Sequence, residues 1–233
     1  MSDMATDTAT GAMVAMIGSF ADNKGALGRR YGEWAVSAPA VEAAVAGAAM
    51  AQDELGHARS TYPVLDKLGH TRTDDALDSG DPMPILAEEL PDWPAMIAAN
   101  LVVDGILTTW VAGARESSIE PLAQRAKKIL QEEGAHRVHA ESWAKRLCRA
   151  GGEDRSRLLD HIDEMWEQAA RWPGPDDHAG YRAAMDAGMI ATAPSAVREQ
   201  VRAWLTELLT AEDCTIELPE PEDWSSWDET RRI

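Results

Sequence analysis

Two copies of the motif Glu-x-x-His, each inside a stripe of small and apolar residues with helical spacing, constrain this chain more than any other feature. Steps of four and three residues along one predicted helix pass through Ala43, Gly47, Met50, Glu54, His57, Thr61 and Val64. The same steps along a later helix pass through Leu122, Ala126, Ile129, Glu133, His136, Ala140, Trp143 and Leu147. Residues spaced in this way share one face of an α-helix. Each motif therefore puts a carboxylate and an imidazole on a core-facing surface.

Two further acids fall on the other two long predicted helices. Asp104 lies in the apolar run NLVVDGIL, and Glu33 lies in RRYGEW, one turn after Arg30. Buried charges without partners cost several kcal/mol, and converging acids repel one another, so metal ions would remove both problems. An acid from each of two helices and Glu-x-x-His from each of the other two is the ligand scheme of ferritin-like di-iron proteins. The pattern predicts a dinuclear metal centre on Glu33, Glu54, His57, Asp104, Glu133 and His136.

The residue types also indicate the metal and its surroundings. Carboxylate and imidazole ligands without a thiolate favour iron, with manganese as the alternative. Asp53 is a candidate acceptor for the free ring N–H of a ligand histidine, and Asp160 and Asp163 of a later predicted helix are the alternatives. Thr108, one turn past Asp104, is either an oxygen-pocket residue or an ordinary core threonine. The alternative to a metal centre is a set of buried ion pairs with satisfied histidines.

The composition predicts an all-α protein, and the ligand motifs on four long helices predict a ferritin-like four-helix bundle with additional C-terminal helices. Alanine is abundant, 45% of the 233 residues are hydrophobic, and no alternating strand pattern is found. Four long helices are expected over residues 7–37, 41–68, 92–115 and 120–151, with a crossover loop at 70–83. Shorter helices are expected over residues 154–172, 180–187 and 195–210. We expect one domain over residues 1–216, followed by an acidic tail with tryptophan and proline at 217–233.

Charge and targeting signals narrow the partners and the location. The net charge of −18 repels nucleic acid and anionic membranes, so neither is an expected partner. The two cysteines do not form a disulfide framework. The N-terminus lacks the basic region of a signal peptide, and no apolar run stands out as a membrane span. A cytoplasmic location is therefore expected.

The segments AQDELGHARSTYPVL and PLAQRAKKILQEEGAHRVHAESWAKRL resemble the phenylacetic acid catabolic family, the ferritin-like subunits of bacterial multicomponent phenylacetyl-CoA epoxidase. The resemblance spans about residues 25–147. In that enzyme one subunit carries the di-iron site, and a paralogous structural subunit has lost ligands. The segment LGRRYGEWAVSAP, together with PLAQRAKKIL, resembles the structural subunit, whereas both Glu-x-x-His motifs are intact, as in the catalytic one.

The resemblance implies a di-iron oxygenase or oxidase that uses O2 and a small-molecule substrate, with an acyl-CoA as the candidate. In this interpretation Glu54 and Glu133 are the catalytic bridging ligands, His57 and His136 each hold one iron, and Glu33 and Asp104 are terminal ligands. An external reductase is expected because no flavin or iron–sulfur motif is present, and the protein is expected to form a homo- or hetero-oligomer. Two alternatives stay open: a non-catalytic structural subunit that stabilises a catalytic paralogue, and a ferroxidase-type iron-handling protein.

Overall fold

Helices account for nearly all the regular structure of the chain. The computed structural model describes residues 2–72, 80–230 and 232, so part of the predicted crossover loop, residues 73–79, lies outside the described residues. The helices are α1 (Ser2–Trp34), α2 (Val41–Asp66), α3 (Pro84–Ala87), α4 (Trp93–Ala99), α5 (Gly105–Ala112), α6 (Glu120–Ala150), α7 (Gly152–Ala169), α8 (Ala179–Asp186) and α9 (Pro194–Thr210). A π-helical segment, Asn100–Asp104, joins α4 to α5. No strand occurs in these ranges, and the predicted all-α fold is confirmed.

Four long elements form the bundle: α1, α2, the continuous helix α4–π–α5, and α6. Helix α1 packs along α2, α2 contacts α6, and α6 contacts the continuous third helix.

Capping residues and glycines in the local sequence mark the ends of these helices. The Asp92 carboxylate accepts a hydrogen bond from the Ala95 N–H at 2.8 Å and caps α4. Gly69 and Gly151, with φ of 79° and 68°, take left-handed conformations just past α2 and α6.

The third helix corrects one expectation from the sequence. Its span Trp93–Ala112 is long and apolar enough to cross a membrane by length and composition, whereas no such span was expected. However, 78% of that stretch is buried inside the bundle. A core helix surrounded by other helices is apolar on all sides, so burial in the protein accounts for its composition.

The C-terminal helices cover the bundle and deliver bulky side chains to it. Helix α8 packs on α1, α7 packs on α4, and α9 packs on α5 and α6. Trp172, just after α7, stacks edge-on against Trp110 with ring centroids 5.5 Å apart, and Trp110 contacts Phe20 at 5.3 Å. The acidic tail lies against the same helices: the indole N–H of Trp166 donates to the Pro219 carbonyl at 2.8 Å. The C-terminal segments therefore cover α1 and the third helix.

Candidate functional site

Three of the four long elements bring buried acids and a histidine to one point in the core. Potential ligand atoms of Glu54 from α2, Asp104 from the π segment, and Glu133 and His136 from α6 all lie within 4.8 Å of one another. All four residues are buried. We call these four residues, together with His57 and Lys24 described below, the central cluster.

His57 joins the cluster from α2. Its Nδ1 lies 3.3 Å from Glu133 Oε1 and 3.4 Å from Glu54 Oε2. The imidazole rings of His57 and His136 have centroids 6.3 Å apart. Both Glu-x-x-His motifs therefore face each other across the bundle, and five of the six residues predicted as ligands come together.

Glu33 is the exception, because the structure places it away from the other five residues. Its side chain is 36% exposed, and its Oε1 lies 2.9 Å from Arg30 Nη2. The reason is helical geometry. At about 100° per residue, the nine positions from Lys24 to Glu33 turn the helix through about 900°, which puts the two side chains on opposite faces. Since Lys24 faces the core, Glu33 faces away from it.

Lys24 is the residue that α1 sends into the cluster, and the search for acids missed it. Its ammonium nitrogen lies 2.5 Å from Asp104 Oδ1, 2.5 Å from Glu133 Oε1 and 3.0 Å from Glu54 Oε2. The side chain is fully buried. The signal was present in the sequence, because steps of four and three along α1 give a stripe whose other members are all buried. This stripe comprises Met13, Ile17, Phe20, Lys24, Leu27 and Tyr31.

The electrostatics favour the charged form of the three basic groups. Burial lowers the pKa of Lys24, but the carboxylates of Asp104, Glu133 and Glu54 outweigh it and hold that pKa well above its ordinary value. Burial likewise opposes the charge on the histidines. Hydrogen bonds with Glu133 and Glu54 nevertheless raise the pKa of His57 to about 9.

The pKa of His136 is raised in the same way, and neighbouring charges also shift the pKa values of the acids. Burial lowers the pKa of His136, but Asp104 and Glu54 raise it to about 11. Burial raises the pKa of Asp104, but Lys24 and His136 together hold it below the usual range. Burial and the neighbouring acids raise the pKa of Glu133, against the opposing effect of Lys24. When all six groups of the cluster are ionised, three positive charges balance three negative ones.

The outer nitrogens of the histidines have carboxylate partners at the rim. Glu132 Oε2 lies 2.9 Å from His57 Nε2, and Asp53 Oδ2 lies 3.4 Å from His136 Nε2. Such partners fix the orientation of an imidazole. The sequence pointed to Asp53 but missed Glu132, which is partly exposed and adjacent to Glu133.

The π-helical segment supplies the polar surroundings of Asp104. The Asn100 side-chain amide donates to Asp104 Oδ2 at 3.0 Å, and the Thr108 hydroxyl donates to Asp104 Oδ1 at 3.4 Å. Single π turns inside α-helices occur frequently at functional sites. Asp104 is thus held on one oxygen by Lys24 and Thr108 and on the other by Asn100.

The space next to the cluster is small. A cavity of about 50 Å³ lies beside it, lined in part by Thr108, Arg137 and Trp204. Trp204 of α9 covers this side; its indole N–H donates to Glu141 at 2.8 Å, and the Arg137 guanidinium stacks 4.3 Å from its ring centre. Pockets for ligands of drug size have volumes of roughly 300–1,000 Å³. The cavity has room for water or a diatomic gas but not for an acyl-CoA.

Comparison with known proteins adds one finding. The family model described as phenylacetic acid catabolic protein matches residues 1–232. The chain belongs to the phenylacetic acid catabolic protein family. The resemblance noted over residues 25–147 is thereby confirmed and extended to both ends. No curated protein matches the chain.

In this chain the donor residues favour a metal centre, whereas the central ammonium group opposes one. Glu54, Asp104, Glu133, His57 and His136 are the residue types that a dinuclear iron or manganese centre uses. However, the Lys24 ammonium contacts three of the carboxylates that metal ions would have to bind. The cluster as folded therefore does not fit a pair of metal ions.

Proposed function

We propose that this chain is a non-catalytic structural subunit of a multicomponent oxygenase in phenylacetate catabolism, and that it stabilises a paralogous catalytic subunit. The observation that carries the proposal is the position of the Lys24 ammonium, 2.5–3.0 Å from the carboxylates of Glu54, Asp104 and Glu133. Membership of the phenylacetic acid catabolic family supplies the metabolic context.

The charge balance of the cluster supports this role. The three basic groups of the cluster each lie against its carboxylates, at 2.5–3.6 Å. A buried network of this kind, with every charge paired, holds α1, α2, the third helix and α6 in fixed positions. Removing one partner of a buried ion pair typically costs about 3–5 kcal/mol. The cluster is therefore a means of fixing the shape that a partner subunit would recognise.

The small cavity supports the same conclusion. A substrate as large as an acyl-CoA needs an open pocket beside the reacting centre, and Trp204 and Arg137 cover this position. Any catalytic turnover of such a substrate would take place in the partner subunit, which would also receive the electrons from the external reductase.

A second candidate function rests on the retained donor set. Because Glu54, Asp104, Glu133 and His136 offer ligand atoms within 4.8 Å of one another, a di-iron oxygenase, or a ferroxidase, is the alternative. It would require iron or manganese in place of the Lys24 ammonium, together with O2, an electron donor and, for the oxygenase, a substrate.

The test is co-expression with a larger family member that has a carboxylate at the position of Lys24. The two chains are purified through a tag without histidine and separated from excess protein by size exclusion. We expect a hetero-oligomer whose metal resides in the partner, and a partner that loses stability and phenylacetyl-CoA turnover when this chain is omitted. Failure of the two chains to associate, with metal and O2 consumption in this chain alone, would refute the structural role.

A further inference from the structure

We infer that the Lys24 ammonium replaces metal ions as the permanent counter-cation of the central cluster, so that this chain folds and keeps its carboxylates paired without metal. The inference deepens the proposed structural role and rests on it for its biological meaning. Its chemistry concerns this chain alone, and the experiment below is done on the isolated chain. It explains why a complete pair of Glu-x-x-His motifs coexists with a cluster that does not fit metal.

Lys24 lies on α1 where the ligand scheme would have an acid. The four-helix scheme takes one acid from each of the two helices that lack Glu-x-x-His. The third helix provides Asp104 in this role. Helix α1 provides Lys24, at the middle of its buried stripe, and the nearest stripe neighbours on either side are Phe20 and Leu27. Glu33 cannot take its place because it lies on the opposite face, paired with Arg30.

The Lys24 ammonium has as many hydrogen-bond donors as it has carboxylate partners. A lysine ammonium has three N–H donors. The Lys24 ammonium donates to three carboxylates, one each from α2, the third helix and α6. Each donor therefore has an acceptor, and the desolvation cost of burying the ammonium is offset by three ion pairs.

The Lys24 ammonium and a metal ion would compete for the same carboxylate oxygens. Carboxylate oxygens bind zinc at about 2.0–2.2 Å, and other first-row divalent ions need comparably close approach. Oδ1 of Asp104 and Oε1 of Glu133 both lie 2.5 Å from the Lys24 nitrogen. An ion bound between these two oxygens would occupy the position of the ammonium. Lys24 and a bridging metal therefore exclude each other.

The experiment uses the isolated full chain and Co²⁺ as a probe, because its visible absorption reports coordination directly. Three variants are compared with the original chain: Lys24→Glu, which restores an acid; Lys24→Met, which removes the charge at similar size; and Lys67→Glu, which makes the same charge change at an exposed position after α2. Bound metal is measured by elemental analysis and visible absorption, and thermal unfolding is followed with and without Co²⁺.

We expect the original chain and Lys67→Glu to bind no Co²⁺ at the cluster and to show no metal-dependent change in melting temperature. Lys24→Glu should bind about two Co²⁺ per chain and gain about 5–10 °C on metal addition. Lys24→Met, which keeps the other five groups, should also become more stable with Co²⁺. It guards against a Lys24→Glu protein that fails to fold without metal.

Two results would overturn the inference. One is binding of two Co²⁺ by the original chain with loss of that binding in Glu54→Gln, because metal and Lys24 would then coexist. The other is a folded Lys24→Glu and a folded Lys24→Met that both ignore Co²⁺. Neither result bears on whether the chain associates with a partner subunit, so failure here is distinguishable from failure of the proposed structural role.

Discussion

The two halves of the bundle are alike in pattern and opposite in charge at one position. The first half, α1 with α2, and the second half, the third helix with α6, each contribute one Glu-x-x-His motif and one further charged residue. That residue is Lys24 in the first half and Asp104 in the second, and the two are in direct contact. An interrupted apolar stripe thus shows where a charge is buried, and the sign of that charge decides which counter-ion the core needs.

The surroundings of the two residues differ as well. Asp104 lies in a π-helical segment, and Asn100 and Thr108 hydrogen-bond to it. Lys24 lies in regular α-helix beside the apolar ring of Phe20, whose centre is 5.9 Å from the ammonium. The second half therefore keeps the polar support of an acid, while Lys24 is paired with one carboxylate of its own half and two carboxylates of the second half.

The largest change in stability is expected when the positive charge of Lys24 is removed. In metal-free buffer, Lys24→Met should lower the free energy of unfolding by about 3–5 kcal/mol, because three buried carboxylates lose their shared cation. Chemical denaturation measures the change. Lys67→Met, at an exposed position, is the matched control and should change stability by less than about 0.5 kcal/mol.

A double-mutant cycle shows whether the loss belongs to the contact between the halves. Asp104→Asn removes one negative charge at nearly constant shape, so adding it to Lys24→Met should cost less than the sum of the two single changes, with a coupling of about 1–3 kcal/mol. Strict additivity would mean that Lys24 stabilises the fold through its packing rather than its charge.

A smaller effect is expected where the second half is covered by α9. A Cβ on Gly105 would come 3.0 Å from the Trp204 ring. The ring is held by Glu141 and Arg137, so it has little freedom to withdraw. Gly105→Ala should therefore cost about 1 kcal/mol and shift the tryptophan fluorescence. Gly134→Ala is the control: it is also helical, meets nothing within 4 Å, and should raise stability by about 0.5–1 kcal/mol. Equal gains in both variants would show that Trp204 is free to move.

Sequence patterns predicted most residues of the central cluster but not its charge balance. Periodicity alone located Glu54, His57, Asp104, Glu133 and His136, since each interrupts an apolar stripe. Glu33 was chosen because the search on α1 was for an acid rather than for the buried stripe. Reading α1 from Met13 through Phe20 to Leu27 would have identified Lys24.

Other features of the site depend on packing between helices that are distant in sequence. The cover formed by Trp204 arises because α9 crosses α5, and no local pattern shows which helix packs there. The π segment is similar, because it changes the register of the third helix within an apolar run that reads as ordinary α-helix. The four long helices were predictable from stripes and breaks, whereas the size of the cavity was not.

The last prediction concerns two imidazoles on one helix. His136 is surrounded by carboxylates, whereas His139 lies edge-on against Trp93 and, in the described part of the chain, has no hydrogen-bond partner on either nitrogen. Burial, with a further contribution from the charge of His136, lowers the pKa of His139 to about 4. Carboxylate neighbours therefore favour the charged form of His136, whereas burial without such neighbours favours the neutral form of His139.

The expected consequence is a pH dependence that belongs to His139. Its ordinary pKa is about 6.5, so between about pH 6.5 and pH 4 the unfolded chain binds a proton that the folded chain does not, and stability falls as the pH falls. His139→Phe keeps a ring against Trp93 and removes the titration. Its stability at pH 7.5 should lie within about 1 kcal/mol of the original. Denaturation at pH 7.5 and pH 5 measures both values: the original should lose more stability than His139→Phe, and equal losses would mean that His139 is charged in the fold or exposed to water.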